Sequence, residues 1–278
     1  MPLKTIKGFK VYTQQVETYQ TSAVARLQHV LIRASFFNLF ILAIAGVLLR
    51  SYPFTDALPF SYKNLLHGHS HFAFGGWVMP VLLALILRLF PMLAKKVAYV
   101  HWRNIAALLL VSAYGMLLSF PVQGYAAVSI IFSTLSVLAG YYLVWVLWRP
   151  LQSAPHKASF LFLKWGLVFL ALSAIGPFAT GPLIVMGKAG SPIYYNSVYF
   201  YLHFQYNGWF TFAILALLYR QLEQAHQSVH GKRVFNLFAL SCIPTFSLSL
   251  LWNQPSVIYN IVGGAGALLQ LAGLDYFL

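Results

Sequence analysis

The feature that most constrains this chain is a series of eight apolar runs that together occupy most of its length. A membrane-spanning helix needs about 20 predominantly apolar residues, and each run approaches or exceeds that length. Only 8% of the residues are charged, against roughly a quarter in water-soluble domains. The sequence therefore predicts an all-α, polytopic bundle of about eight transmembrane helices in a lipid bilayer. The runs lie at 33–50, 66–90, 104–121, 125–147, 160–183, 195–219, 234–252 and 257–277.

Two segments follow from this pattern. Residues 1–32 are polar and predict a cytoplasmic or interfacial N-terminal segment, while 33–278 form one transmembrane helical domain. Neither an internal repeat nor an interdomain linker is evident along the sequence. The last run reaches the end of the chain, which leaves two alternatives open: eight helices complete the domain, or the chain is truncated at its C-terminus.

The distribution of positive charge predicts the orientation. Fifteen of the 18 Lys and Arg residues fall on the same side as the N-terminus when the eight runs alternate. Cytoplasmic loops carry such an excess, so we expect a multi-pass protein of the cytoplasmic (inner) membrane with its N-terminus inside. The same distribution explains the net charge of +14 without nucleic acid, since no basic face forms on a soluble domain.

Histidines are the most informative polar residues. Of the nine in the chain, His67, His69 and His71 begin the second helix and His203 lies in the sixth. We expect the other five to be solvated or interfacial. An imidazole in hydrocarbon needs a hydrogen-bond partner, a metal or water. Helical geometry places His67 and His71 on one face, a turn apart, and His69 on the other. The topology places both groups near the outer membrane surface, which predicts one shared site.

Three interpretations of this site compete. The histidines could form hydrogen bonds between helices without any cofactor, serve as axial ligands of heme iron, or serve as ligands of copper, iron or zinc. The i, i+4 pair His67 and His71 with His203 is one candidate metal set. Beside His203, Tyr206 and Asn207 are the candidate catalytic residues. Gln123 is a candidate polar contact in the same site, and Arg50 is a candidate partner for heme propionates because guanidinium binds carboxylate in a forked geometry.

Two of these motifs resemble the catalytic subunit I of the heme-copper oxidase superfamily. The run HSHFAFGGWVMP, from His69 to Pro80, is similar to its second helix, where a histidine near the outer end ligates the low-spin heme. His203, followed by Asn207 and Gly208, is similar to the sixth helix of the nitric oxide reductase branch, where a glutamate stands in place of Asn207. The run at 234–252 has no histidine pair, so the resemblance implies a divergent relative, similar to NnrS-type proteins.

The resemblance implies a b-type heme and either copper or non-heme iron. His69 or His71 would be an axial ligand, and the metal ligands would be drawn from His69, His71 and His203. The implied chemistry is that of an oxidoreductase in electron transport or in NO or O₂ handling, with quinol or a cytochrome as electron donor. The residues alone leave two other classes open: a cofactor-free transporter or channel with a histidine-lined polar cavity, and an assembly or scaffold subunit of a respiratory complex.

Overall fold

A computed structural model describes residues 3–55, 57–227 and 230–277, with side chains from residue 21 onward. Residues 1–2 of the predicted N-terminal segment and residues 56, 228, 229 and 278 of the predicted transmembrane domain lie outside this part. The described residues form helices and turns and contain no strand. The long helices are α1 (Leu3–Ser51), α2 (Tyr62–Leu89), α3 (Tyr99–Gln123), α4 (Ala127–Gln152), α5 (Ala158–Val185), α6 (192–224), α7 (Gly231–Leu250) and α8 (Val257–Asp275).

Seven helices in the described part of the chain are long and apolar enough to cross a membrane. They are α2 to α5, α7, α8 and the Thr21–Phe54 portion that α1 contributes with the turn after it. Helix α6 is also continuous, but the polar residues His203, Gln205 and Asn207 interrupt its apolar character. The all-helical fold predicted from the sequence is confirmed. Seven of the eight predicted runs lie on helices that are long and apolar enough to cross a membrane, and the remaining run lies on α6.

The chain divides into two compact units, Met1–Pro150 and Leu151–Leu278. The first unit contains α1 to α4 and the second contains α5 to α8, with the boundary near the end of α4. The domain predicted over 33–278 therefore consists of two four-helix units. The predicted boundary at residue 32 coincides with no break in structure, because α1 is continuous from Leu3 to Ser51.

Close contact between α2 and α3 organises the first unit. A Cβ placed on Gly68 would lie 3.1 Å from the ring of Pro121, a tight contact, so glycine at this position favours the close approach of α2 to α3. Gly124 then ends α3 with a φ of 61°, a conformation that glycine adopts at no steric cost. This turn brings Tyr125 back beside the start of α2, where its ring contacts His67 and His71.

Aromatic packing between α5 and α6 organises the second unit. The Phe162 ring stacks on Tyr219 at a centroid distance of 5.5 Å, and Phe169 meets Phe212 edge to face at 5.0 Å. The first turn of α5 is capped by Glu223, whose carboxylate accepts hydrogen bonds from the amide and the hydroxyl of Ser159 at 3.0 and 2.6 Å. These contacts fix the position of α6 within its own unit.

Helices α2 and α6 each contain a π-helical turn, over Ala73–Val78 and Phe204–Phe210 respectively. The amide of Met79 donates to the carbonyl of Phe74, and the amide of Thr211 donates to that of Tyr206. Both bonds span five residues, one more than in an α-helix. Such turns are rare, and those that occur are frequently found at functional sites. One follows His71 in α2 and the other follows His203 in α6.

Candidate functional site

His67 and His71 lie on the face of α2 that is directed toward the end of α3. The Nε2 atom of His71 is hydrogen-bonded to the Tyr125 hydroxyl at 3.0 Å, and its ring stacks on Phe120 with a centroid distance of 4.5 Å. The His67 ring meets Tyr125 edge to face at 4.8 Å. The prediction that these two histidines share a face is confirmed.

His69 is directed toward α1 instead. Its ring is hydrogen-bonded to the backbone of Leu42, and its Cε1 atom would lie 3.4 Å from a Cβ placed on Gly46. The prediction that His69 lies on the opposite face of the helix from His67 and His71 is therefore confirmed. Because the faces are opposed, a single metal ion cannot be bound by all three imidazoles of α2.

Two imidazole nitrogens of the triplet have no protein partner. Among the buried side-chain atoms of the described residues, only His67 Nε2 and His69 Nδ1 lack a hydrogen bond. Leaving such a group unpaired costs about 1–3 kcal/mol, so buried polar atoms of this kind call for an explanation such as a bound group. His71 differs, because its Nε2 atom is already paired with Tyr125.

A buried polar pair supports the π-helical turn below the triplet. Pro80 has no N–H, so the carbonyl of Gly76 lacks the donor that an α-helix would supply four residues later. Asn38 of α1, which is fully buried, donates its side-chain amide to that carbonyl and accepts from the hydroxyl of Tyr114. Sequence reasoning missed Asn38 and Tyr114. The available signals were Pro80 itself and an asparagine within the apolar run of α1.

Both ring nitrogens of His203, in the second unit, are hydrogen-bonded to other protein groups. Its side chain is 5% exposed. Nε2 donates to the carbonyl of Cys242 at 2.7 Å, and Nδ1 accepts from the side-chain amide of Asn207 at 3.1 Å. That carbonyl is available because the amide of Phe246 instead donates to Ile243. A metal could bind Nδ1 only by displacing Asn207, so Asn207 acts as a group that orients His203.

The remaining predicted site residues take other positions. Tyr206, expected beside His203, is 50% exposed, and its ring contacts Phe210 at 5.9 Å. With its amide oxygen turned toward α4, Gln123 accepts from the Val128 and Ser129 amides at 3.2 and 2.9 Å, which caps the start of that helix. Arg50 lies exposed in the last turn of α1.

A second cluster of histidines lies outside the predicted site. A cavity of about 500 Å³ in the second unit is lined on one side by the start of α5 and on the other by the start of α7. Glu223 is its acidic member and caps α5. The expectation that these histidines are solvated is consistent with their exposed positions. The cavity is lined by the histidines His156, His226 and His230 and by the basic residues Lys157, Lys232 and Arg233.

Within the described ranges, no group of three or more His, Cys, Asp or Glu side chains is arranged to hold a metal ion. The triplet belongs to the first unit and His203 to the second, so the shared site stays a prediction. Comparison with known proteins gives no match to a family model, to a curated protein or to a solved structure.

Proposed function

We propose that this multi-pass membrane protein binds a b-type heme, or a copper or non-heme iron ion, through the histidines of α2. Its role would be electron transfer or the handling of NO or O₂. The observation that carries the proposal is the buried Nε2 atom of His67, which has no hydrogen-bond partner. An imidazole binds a metal through an unprotonated nitrogen, and a buried one without a partner is available for that role.

The surroundings of His67 fit such a group. Phe120 and Tyr125 lie at ring distances of 6.1 and 4.8 Å, which gives the imidazole aromatic neighbours like those of heme pockets in helical proteins. His71, on the same face, is hydrogen-bonded to Tyr125 and would hold that phenol beside the bound group. His69 offers its Nδ1 atom on the opposite face. When bound, heme or a redox-active metal would supply a one-electron couple within the membrane.

The second unit fits a bound metal less well, which changes the earlier expectation. His203 has both nitrogens engaged by Cys242 and Asn207. We therefore propose one centre, in the first unit, in place of a ligand set that includes His203. This is also how we interpret the resemblance to heme-copper oxidases: a divergent relative that keeps a ligating histidine on its second helix.

The placement in the membrane completes the proposal. We propose that α6 crosses the bilayer like the other seven helices, that the N-terminus is cytoplasmic, and that the membrane is the inner one. The fifteen-to-three division of Lys and Arg supports this orientation. The start of α2 would then lie near the outer surface, where a quinol or a cytochrome could donate electrons.

The engaged nitrogens of His203 favour a competing class. A histidine paired to a carbonyl and an amide is a polar tie between helices, as expected in a cofactor-free transporter or channel or in a scaffold subunit. If the α2 histidines also served only as ties, the protein would bind no heme or metal at all. The two classes therefore differ in a single measurable property.

That property is bound heme or metal. The protein purified in detergent should show a Soret band in its reduced-minus-oxidised spectrum, or stoichiometric copper or iron by elemental analysis. His67→Gln should lower the bound amount at least about tenfold, while the exposed control His156→Gln should leave it unchanged. A protein without a Soret band and without stoichiometric metal would exclude the proposal and favour the cofactor-free class.

A further inference from the structure

We infer that the chain is a tandem duplication of one four-helix unit, in which His71 and His203 occupy the same position. His203 follows His71 at a spacing of 132 residues. Helices α3 and α7 begin at Tyr99 and Gly231, which is the same spacing. The inference depends on no bound group and stands apart from the proposed function.

The two π-helical turns coincide at this spacing. The bond from Met79 to Phe74 in α2 corresponds residue for residue to the bond from Thr211 to Tyr206 in α6. Well under 1% of residues in globular proteins are in π-helices. Two such turns at equivalent positions in two four-helix units are therefore strong support for a common origin.

The side chains around the turns agree as well. Between 71–88 and 203–220, eight of 18 aligned positions are identical. The apolar requirement of a membrane helix explains a shared leucine, but it does not explain a shared His, Gly, Trp and Arg in one register. The identical positions are His71, Phe72, Gly76, Trp77, Leu83, Ala84, Leu85 and Arg88, which align with His203, Phe204, Gly208, Trp209, Leu215, Ala216, Leu217 and Arg220.

Contacts between different helices keep the same spacing. The Phe72 ring contacts Tyr114 of α3 at 5.5 Å, and the Phe204 ring contacts the aligned residue Phe246 of α7 at 6.0 Å. A pattern confined to one helix would not reproduce this pair. The second helix therefore packs on the third in the same register in both units.

The first and second helices of each unit also correspond. Arg88 and Gln28 line one cavity of the first unit. At the aligned positions of the second unit, the Arg220 guanidinium lies 5.4 Å from the centre of the Phe160 ring. In both units the arginine at the end of the second helix therefore lies beside the same stretch of the first helix.

The duplication separates the histidines into two classes. Each shared histidine is hydrogen-bonded to the third-helix region of its own unit, although at different positions: His71 to Tyr125, just beyond α3, and His203 to the Cys242 carbonyl within α7, which aligns with Leu110. His67 and His69 align with Tyr199 and Tyr201, so they occur in the first copy only. The structure thus assigns His71 and His203 as equivalent positioning residues, and the unpaired nitrogens belong to the histidines that only one copy has.

Matched substitutions test this assignment in the full-length protein in detergent. His71→Leu and His203→Leu should each lower the melting temperature by several degrees, and His71→Gln and His203→Gln should recover part of the loss because an amide can still donate. The control His156→Leu should leave the melting temperature within about one degree, because His156 is exposed and lies outside both compared helices. A loss in only one of the leucine variants at positions 71 and 203, or an equal loss in the control, would overturn the equivalence.

An experimental structure tests the duplication itself. Superposing 62–89 on 194–221 should bring both π-helical turns and both arginines into coincidence without a gap. A turn missing from either helix, or a best fit at another spacing, would overturn the inference. A wild-type protein without heme or metal would defeat the proposed function and leave these two results unaffected.

Discussion

The carbonyl of Gly76 shows how one residue can determine local structure. Pro80 removes its helical donor, and a free carbonyl in a bilayer is costly because no water can pair with it. The side-chain amide of Asn38 supplies the missing donor from another helix. The histidine triplet therefore stands directly above a turn whose hydrogen bonding depends on a single asparagine.

Asn38→Leu should destabilise the protein, since it leaves the Gly76 carbonyl and the Tyr114 hydroxyl unpaired. We expect a loss of about 1–3 kcal/mol in unfolding free energy, measured by thermal or denaturant unfolding in detergent. Tyr114→Phe is the matched control and should cost less, because it leaves Asn38 bonded to Gly76. Equal stability of Asn38→Leu and the wild type would contradict this role.

At the scale of the helices, glycines allow neighbouring helices to pack closely in this chain. In the second unit a Cβ on Gly208 would lie 2.5 Å from the Cβ of Phe169, below any normal contact. Helices α5 and α6 can keep their present separation only with a glycine there. Since His203 is on the same helix, this contact also fixes the histidine in its place.

Gly208→Ala should force α5 and α6 apart. The expected loss is about 1–3 kcal/mol, as for other overpacked cores, and differential scanning fluorimetry of the purified protein would detect it. Gly264→Ala, in α8, is the control, because a Cβ there meets nothing within 4 Å. That variant should be neutral or slightly more stable, since alanine favours a helix. If Gly208→Ala melts like the control, the packing described here is wrong.

The cap on α5 gives a second test on the element scale. Glu223→Ala removes the acceptor for the amide and hydroxyl of Ser159. The loss should be about 0.5–2 kcal/mol, the usual cost of a helix cap, and Glu223→Gln should retain part of it through its remaining oxygen. Identical melting of both variants and the wild type would show that the cap contributes nothing.

Much of this architecture was predictable. The helices follow from apolar runs, and the opposed faces of His67 and His69 follow from helical geometry. The π-helical turns were not predictable, because the support for α2 comes from Asn38, on a different helix. The repeat is weak in the sequence because apolar residues replace one another freely in membrane helices, which confines the identities mainly to α2 and α6. The hydrogen bonding of His203 depends on α7, a different helix, where the Cys242 carbonyl accepts both from His203 and from the Thr245 hydroxyl.

On the scale of the whole molecule, the membrane topology depends on α6. If it crosses, the loop before it and the segment after it lie on opposite sides of the bilayer. Single cysteines at Lys188→Cys and Gln224→Cys, in a Cys242→Ser background, should react with an impermeant maleimide from opposite faces, with Lys188→Cys outside. Cys242 is the only cysteine in the sequence, so its replacement leaves one thiol in each variant. Labelling of both sites from one face would show that α6 does not cross.

The central claim is that the histidines found only in the first unit hold a heme or a metal ion. The most direct measurement is an electron cryomicroscopy map of the wild-type protein, purified without added metal. The account predicts density joined to Nε2 of His67, with the Nδ1 atom of His203 still bonded to Asn207. A map in which His67 and His69 contact only protein or lipid, or in which the bound group is on His203, would contradict it.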